Sequence, residues 1–333
     1  MKAVVTHRVC LAGALCVTLL IAACAPYPVQ EVNPSLPVER ARELVETPFF
    51  PQDKYQCGPA SLATVLNAAG ADVSPGQLKP LVYLPGNKGS LQAEMLATAS
   101  RYGYLAVAVP PALDSLLLEL SAGRPVLVLQ NLGVAVLPVW HYAVVIGYNL
   151  EQRTFYLRSG RDKRKVYSFK RFLESWSRAG YWAMVAVVPG EVPVSANAAD
   201  YLRAASALER QHKPAAAWRA YSAGTRRWPD QPLLWAAAGN AAYSLERFAD
   251  AEAAYREALA LQPGAAPILN NLALALAAQG CSQTALSVLD CVLKRVPTNT
   301  VLEETLQEIN GLPKETGDCR RFVCDLPETG VQP

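Results

Sequence analysis

The stretch QDKYQCGPASL, residues 52–62, decides the fold of the first half of the chain. Pro59 suits the first turn of a helix, where no backbone N–H is needed, and Leu62 begins an apolar face that predicts a helix from Pro59 to Ala69. Cys57 lies two residues before Pro59. The unpaired N–H groups of a helix N-terminus carry about half a positive charge. Because that charge favours the thiolate, we expect a lowered pKa and a nucleophilic role for Cys57.

A nucleophilic thiol needs a base, and the three histidines of the chain leave one candidate. His7 lies in the N-terminal apolar region, and His212 lies in the helical second half. His141 opens the stretch HYAVVIGY, residues 141–148, which has the composition of a buried strand. A strand end holds a side chain rigidly at the edge of a site. We therefore predict that Cys57 and His141 act as a pair.

Helices and strands alternate around this pair. The pattern predicts further helices over Ser90–Tyr102 with Ser90 as the N-cap, Leu113–Ala122 and Phe169–Arg178. It predicts strands over Pro125–Leu129, His141–Tyr148, Thr154–Leu157, Lys165–Phe169 and Tyr181–Val188. Helices first and an antiparallel sheet afterwards indicate an α+β domain over residues 47–189.

The two motifs together carry a family resemblance. QCGPAS, followed about eighty residues later by HYAVVIGY, resembles the bacteriocin-processing class of papain-like cysteine peptidases over residues 47–188. The resemblance implies a papain-like fold, a peptide or protein substrate, Cys57 as nucleophile and His141 as acid and base. It also implies that the side-chain amide of Gln52 donates to the oxyanion, with the backbone N–H of Cys57 as the second donor.

One position departs from the family pattern. The family usually places an Asp on the strand after the histidine strand, where it orients the imidazole. In TFYLRSGRD, residues 154–162, Ser159 occupies that position, and Asp162 is the alternative from the turn. A hydroxyl can fix a ring but cannot stabilise an imidazolium by charge. Two hypotheses follow: a thiol peptidase, or a degenerate peptidase-like binding or scaffold lipoprotein.

The N-terminus has the pattern of an export signal. Lys2 and Arg8 precede an apolar run that is too short for an ordinary membrane span. The run ends LIAAC, residues 20–24, which resembles the lipobox of bacterial lipoproteins and implies removal of residues 1–23 and acylation of Cys24. The alternative is a plain signal peptide with an incidental cysteine. Ala25 resembles the outer-membrane sorting pattern, so we expect a cell-envelope protein anchored to that membrane and facing the periplasm. The proline-rich residues 24–46 are predicted to form an extended tether without a core.

The second half of the chain repeats every 34 residues. Residues 190–197 form a linker, after which the composition shifts to Ala, Leu, Arg and Glu. The period is marked by Pro229, Pro263 and Pro297, by Ala217, Ala251 and Ala285, and by Tyr201, Trp235 and Leu269. This pattern resembles the tetratricopeptide repeat, which implies an all-α solenoid of three repeats and a capping helix over residues 198–311. The groove of such a solenoid is expected to bind a protein partner.

Four of the eight cysteines gather at the far end, at Cys281, Cys291, Cys319 and Cys324. Cys281 and Cys291 are ten residues apart across one predicted helix, on the order of 15 Å, which is too far for a disulfide. We therefore predict that each joins one cysteine of the tail, residues 312–333, with the connectivity left open. Zinc is the alternative, but the spacing is not CxxC and no histidine is near. No cofactor is predicted.

Composition argues against one class of function. The formal net charge is only +3, and no block of five like charges or basic aromatic stripe occurs. These features disfavour a nucleic-acid partner.

Overall fold

The computed structural model describes residues 30–52, 56–87, 89–294, 296, 298–313 and 319–324. The predicted signal segment and the predicted acylation site Cys24 lie outside the described residues. Within the described residues, no helix has the length and apolar character needed to cross a bilayer. A sheet domain comes first and a helical array follows, as the sequence predicts.

The first domain is built on an antiparallel sheet with the strand order β4-β9-β5-β6-β7-β8, and β1 pairs with β6. The strands are β1 (Ala41–Glu43), β4 (Leu105–Ala108), β5 (Val126–Asn131), β6 (Trp140–Asn149), β7 (Thr154–Ser159), β8 (Asp162–Ser168) and β9 (Ala183–Val187), while β2 (Tyr83–Leu84) and β3 (Gly89–Ser90) form a separate hairpin. The helices are α1 (Cys57–Ala68), α2 (Pro75–Val82), α3 (Gln92–Arg101), α4 (Leu113–Ser121) and α5 (Phe169–Ser177).

The two faces of this sheet are covered by different helices. Because successive side chains of a strand point to opposite faces, Ala143 and Val145 of β6 face one side, and Val144 and Ile146 face the other. The face of Val144 packs against the apolar residues of α1, α2 and α3. The face of Val145 packs against α4, α5 and the first helix of the repeats. Helix α1, which begins at Cys57, therefore packs on the face of the sheet to which Val144 points.

Several element boundaries differ from the sequence prediction. Helix α1 begins at Cys57, two residues before the predicted start. The prediction of Ser90 as a helix N-cap is wrong, because Ser90 is paired with Tyr83 in the β2–β3 hairpin. The N-cap of α3 is Leu91, whose side chain makes no capping hydrogen bond. Elements β1, α2 and β4 are not in the sequence prediction.

The predicted tether is wrong over its described part, residues 30–46. Strand β6 has ten residues and β5 has six, so the last residues of β6 need a partner on that side. Strand β1 supplies it, with Glu43 opposite Gly147. A side chain at Gly147 would collide with the backbone of Arg42, so glycine permits this close approach. Val38 and Leu44 pack against the apolar core beside the strand.

The helical array continues the same core. Its helices are α6 (Ala198–Arg210), α7 (Pro214–Arg227), α8 (Pro232–Tyr243), α9 (Phe248–Leu261), α10 (Ala266–Ala278), α11 (Ser282–Leu293) and α12 (Thr300–Asn310). Tyr201 of α6 is fully buried and belongs to the apolar cluster of the sheet domain. The linker is fixed as well, because Ser195 N donates to Glu119 Oε1 at 2.7 Å and Arg124 pairs with Glu191 at 3.9 Å. The two halves therefore share one continuous core.

Two disulfides close the far end of the array. Cys281 bonds to Cys319 and Cys291 bonds to Cys324, with Cα atoms 5.6 and 5.7 Å apart. The predicted pairing across the last repeat is formed, and the structure supplies the connectivity that the sequence leaves open. Phe322 packs against the apolar cluster of the repeats. The described residues contain no group of three or more His, Cys, Asp or Glu side chains placed to hold a metal ion.

Candidate active site

Cys57 is the first residue of α1 and is half-buried. Burial raises the pKa of the Cys57 thiol, while the backbone groups of Tyr142, Gly58 and Cys57 itself lower that pKa by less. The lowered pKa predicted from the helix N-terminus is therefore wrong. The reason is that apolar neighbours around the sulfur cost the thiolate more solvation than the backbone dipoles return.

His141 is the second residue of β6, and its ring is fixed from the side of β7. The Nε2 atom of His141 lies 2.9 Å from the Oγ atom of Ser159, the last residue of β7. Ser159 is only 2% exposed, so this hydrogen bond is shielded from water. The predicted placement of Ser159 beside His141 is confirmed. The other ring nitrogen, Nδ1, is then the one that faces away from Ser159.

Asp162 does not take the place of the missing carboxylate. Its Oδ2 lies 3.2 Å from the Nζ of Lys165, and its side chain is 59% exposed. The charge that acts on the imidazole is instead that of Lys165. Burial first, and this positive charge second, lower the pKa of His141 to about 4. The imidazole is therefore neutral at pH 7 and able to accept a proton.

Gln52 is clamped between the turn after β7 and the start of α1. Its backbone N–H donates to Gly160 O at 3.0 Å, and its Oε1 accepts from Gly160 N at 3.1 Å. Its Nε2 donates to Ser61 Oγ at 3.3 Å. Ser61 is four residues after Cys57, so the two lie on the same face of α1. The amide of Gln52 is thus held beside the face of the helix that begins with the cysteine.

These contacts form a series that passes through the chain neighbours of His141 and Ser159. Cys57 meets the backbone of Tyr142, the residue after His141. His141 bonds to Ser159, whose neighbour Gly160 bonds to Gln52, and Gln52 returns to α1 through Ser61. The contacts thus connect Gln52 to α1 and to the turn after β7, and His141 to Ser159, while Cys57 reaches His141 only through its chain neighbour Tyr142.

Cys57 and His141, predicted to act as a pair, form no hydrogen bond with each other in the part of the chain that the structure describes. The cause lies in the alternation of β6. Tyr142 packs in the same cluster as Cys57 and α1, so His141, its neighbour, starts from the opposite face. His141 pairs with Gln130 of β5, whose Nε2 donates to Ser175 of α5 at 2.7 Å on that opposite face.

The β2–β3 hairpin packs against the start of α1, a contact that the sequence does not predict. Tyr142 Oη donates to Ser90 O at 3.1 Å, and a Cβ on Gly58 would collide with the Ser90 side chain. Gly58 therefore makes room for Ser90 of the chain itself. The contact of Ser61 with Gln52 was open to inference, because Ser61 follows Cys57 by one helical turn. The approach of Lys165 was not, because it depends on the register of β8.

Two family matches agree with this architecture. Residues 44–184 match the family described as Peptidase_C39 like. Residues 202–266 and 236–300 match the tetratricopeptide repeat. The chain thus contains a C39-like peptidase domain followed by tetratricopeptide repeats, and the predicted fold class, an α+β domain followed by an α-helical solenoid, is confirmed.

Solved structures of both kinds are similar to parts of the chain. A C39-like peptidase from Bacillus anthracis is 20% identical, with a TM-score of 0.37, over 45% of this chain and 98% of that one. The peptidase domain of ComA, a bifunctional ABC transporter of Streptococcus, is 20% identical, with a TM-score of 0.33, over 43% and 98%. The second repeat domain of human RPAP3, solved with an HSP70 peptide, is 19% identical, with a TM-score of 0.34, over 34% and 96%. No curated protein matches the sequence.

Proposed function

We propose that this protein is a thiol peptidase of the cell envelope that cuts a peptide or protein substrate through Cys57 and His141. The observation that supports the proposal is the hydrogen-bond network that fixes the His141 ring through Ser159 and holds Gln52 against the helix that begins at Cys57. A half-buried free cysteine at a helix N-terminus and a neutral imidazole on a strand that packs against this helix supply the groups that a thiol nucleophile and its base require.

The chemistry follows from the protonation states of the resting site. His141 donates its Nε2–H to Ser159 Oγ and keeps the lone pair of Nδ1 free. When substrate binds, Nδ1 moves toward the sulfur, takes the thiol proton, and the thiolate attacks the peptide carbonyl carbon. Catalytic hydrogen bonds, such as that between the Cys57 thiol and His141 Nδ1, are often long before substrate binds. The oxyanion accepts hydrogen bonds from the Cys57 backbone N–H and the Gln52 amide.

The remaining steps return the enzyme to its starting state. The imidazolium of His141 gives its proton to the amine as the C–N bond breaks, which leaves a thioester on Cys57. Neutral His141 then takes a proton from water, the hydroxide attacks the thioester, and the thiol leaves with that proton. Every proton that His141 takes is returned, so the site needs no cofactor.

A second candidate is a binding or scaffold protein with a degenerate peptidase fold. The observation that favours it is the absence of a carboxylate hydrogen bond to the His141 ring among the described residues, where Ser159 stands and the charge of Lys165 opposes protonation. An imidazolium is therefore poorly stabilised, and a slow or inactive enzyme results.

The proposed location is the periplasmic side of an outer membrane. The lipobox-like LIAAC motif supports acylation of Cys24, and two disulfides at the far end suit an oxidising compartment. The repeats supply a concave surface for a protein partner or for the substrate itself.

The test is labelling with a peptide that carries a thiol-reactive electrophile. Wild-type protein is expected to label at Cys57 faster than the same protein unfolded in denaturant. His141→Ala should remove that excess rate, and His212→Ala, the matched change in the repeats, should keep it. Labelling at the rate of the unfolded thiol, with no effect of His141→Ala, contradicts the peptidase and supports the scaffold.

A further inference from the structure

The hairpin that joins β5 to β6, residues 132–139, carries an unusual amount of exposed apolar surface. In LGVAVLPVW, residues 132–140, no side chain is charged. Val136 is 84% exposed and Leu137 is 74% exposed, and they form the tip. Trp140, at the base, is 55% exposed. Contiguous apolar exposure of this kind marks a surface that binds something.

This hairpin is a rigid projection. Asn131 Oδ1 accepts hydrogen bonds from Gly133 N at 3.0 Å and from Val139 N at 2.9 Å. Leu132 N donates to Val139 O at 2.9 Å, and Val134 and Leu137 form a bridge across the tip. The exposed apolar tip is therefore held in one conformation by these hydrogen bonds. An exposed apolar hairpin tip fits a soft apolar phase, whereas binding of an extended peptide needs a groove or a sheet edge.

The hairpin lies at the same edge of the sheet as the N-terminal segment. In β9, Ala183 pairs with Val128 of β5, and Met184 pairs with Ala108 of β4. The segments that follow Ala108 and Asn131 therefore leave the sheet together. The first of these segments binds the start of the described chain, because Gln30 Nε2 donates to Pro111 O at 3.1 Å.

Chain length limits how far a lipid proposed on Cys24 can lie from this edge. Cys24 is six residues before Gln30, which allows a reach of at most about 20 Å. The start of β8, with exposed Lys163, lies at this edge too, because Ser159 at the end of β7 bonds to His141 at the start of β6. A lysine beside apolar side chains suits the headgroups of an anionic bilayer, and Trp140 suits its interface.

We propose that the hairpin 132–139 inserts into the surface of a lipid bilayer and holds the edge with Cys57 and His141 against the membrane. The proposal deepens the proposed membrane location and does not depend on the thiol chemistry. It also differs from the proposed acyl anchor, because the hairpin acts without any acyl chain.

The experiment measures binding of the mature chain, residues 24–333, carrying Cys24→Ser, to vesicles of phosphatidylethanolamine and phosphatidylglycerol. The parent is expected to cosediment with these vesicles. Val136→Asp with Leu137→Asp should weaken binding by at least about tenfold, because two apolar side chains no longer enter the bilayer. Leu233→Asp with Leu261→Asp, at exposed apolar positions of the repeats, should leave it unchanged. Should the aspartates unfold the domain, Val136→Ser with Leu137→Ser gives the same comparison.

Two outcomes overturn the proposal. One is a parent that does not bind vesicles, or a hairpin variant that binds as well as the parent. The other is a hairpin variant that binds vesicles normally but loses electrophile labelling in lipid-free solution, which makes the hairpin a substrate-binding element. Failure of the labelling test with normal vesicle binding removes the peptidase and leaves the membrane contact standing.

Discussion

The cysteines of the two halves of the molecule differ in chemical state. Cys57 is a free thiol at the start of α1, half-buried among apolar side chains. The cysteines of the far end are joined in two disulfides with Cα separations of 5.6 and 5.7 Å. Both regions are proposed to share one oxidising compartment, so the compartment does not explain the difference. Geometry does, because a disulfide needs a second cysteine within about 7 Å.

The difference also shows how each region obtains its stability. The sheet domain buries a large apolar core on both faces. Its stability therefore does not depend on a disulfide at Cys57. The tail has one aromatic side chain, Phe322, against the repeats, and its two covalent bonds supply what a core does elsewhere. Burial around Cys57 also keeps its thiol protonated at rest, which protects it from oxidation.

The largest effect is expected from placing a carboxylate beside His141. It should make the free thiol of Cys57 more reactive and so less like the disulfide-bonded cysteines. Ser159→Asp places a negative charge at the position 2.9 Å from Nε2, which raises the pKa of His141 from about 4 and stabilises the imidazolium. We expect the labelling rate of Cys57 to rise on the order of ten- to a hundredfold. Labelling kinetics between pH 4 and 8 measure this.

Two controls bracket that experiment. Ser159→Ala removes only a neutral hydrogen bond, so it should slow labelling by less than Ser159→Asp accelerates it. Asp162→Asn changes a carboxylate that is exposed and paired with Lys165, so it should not accelerate labelling. If Ser159→Asp labels no faster than wild type, Ser159 does not stand at the orienting position.

The role of the disulfide-bonded cysteines is tested by removing one of the two disulfides. Cys281→Ser with Cys319→Ser should lower the free energy of unfolding of the repeats by about 2–4 kcal/mol. The labelling rate of Cys57 should not change at room temperature, because the two regions use their cysteines independently. Urea unfolding followed by circular dichroism measures the first quantity. Cys57→Ser is the control, and a comparable loss of stability in it would show that Cys57 is structural.

The smallest expected effect is a pH dependence of stability. The pKa of His141 is lowered from 6.5 to about 4 in the folded state, so between these values the unfolded chain binds more protons. The free energy of unfolding should therefore fall as pH drops from about 6.5 to about 4, by at most about 1.4 kcal/mol per pH unit. His141→Asn should remove this component and His212→Asn should not. An unchanged slope in His141→Asn means that the imidazole is solvated.

Local patterns predicted the elements that carry the site. The motif around Cys57 fixed a helix start, and the apolar run after His141 fixed a buried strand, because both signals lie within one turn or one strand. The disulfide pairing was partly predictable, since the rise of one helix excludes a Cys281–Cys291 bond. Ser159 was placed correctly by the family resemblance, and the adjacent antiparallel pairing of β6 and β7 is the physical reason.

The features that were missed depend on contacts distant in sequence. Helix α2 contains Pro80 in its interior, and it is recognisable only through the capping box of Ser74 with Gln77. Strand β1 forms because β6 extends beyond β5, which no pattern within β1 reveals. The raised pKa of Cys57 reflects burial by the neighbouring core, and local sequence reports only the helix end.

The apolar core that the sheet domain shares with the first repeat fixes the position of these two regions relative to each other. Tyr201 is buried between the two halves, and its hydroxyl donates to Glu191 O at 3.0 Å and Ala220 O at 3.1 Å, which fixes the first repeat to the linker. A substrate held by the repeats, as proposed, is then bound at a fixed position relative to the sheet domain. Its local concentration at the sulfur depends on how many residues separate the segment bound by the repeats from the bond to be cut. A substrate whose spacing is too short cannot reach Cys57, however tightly the repeats bind it.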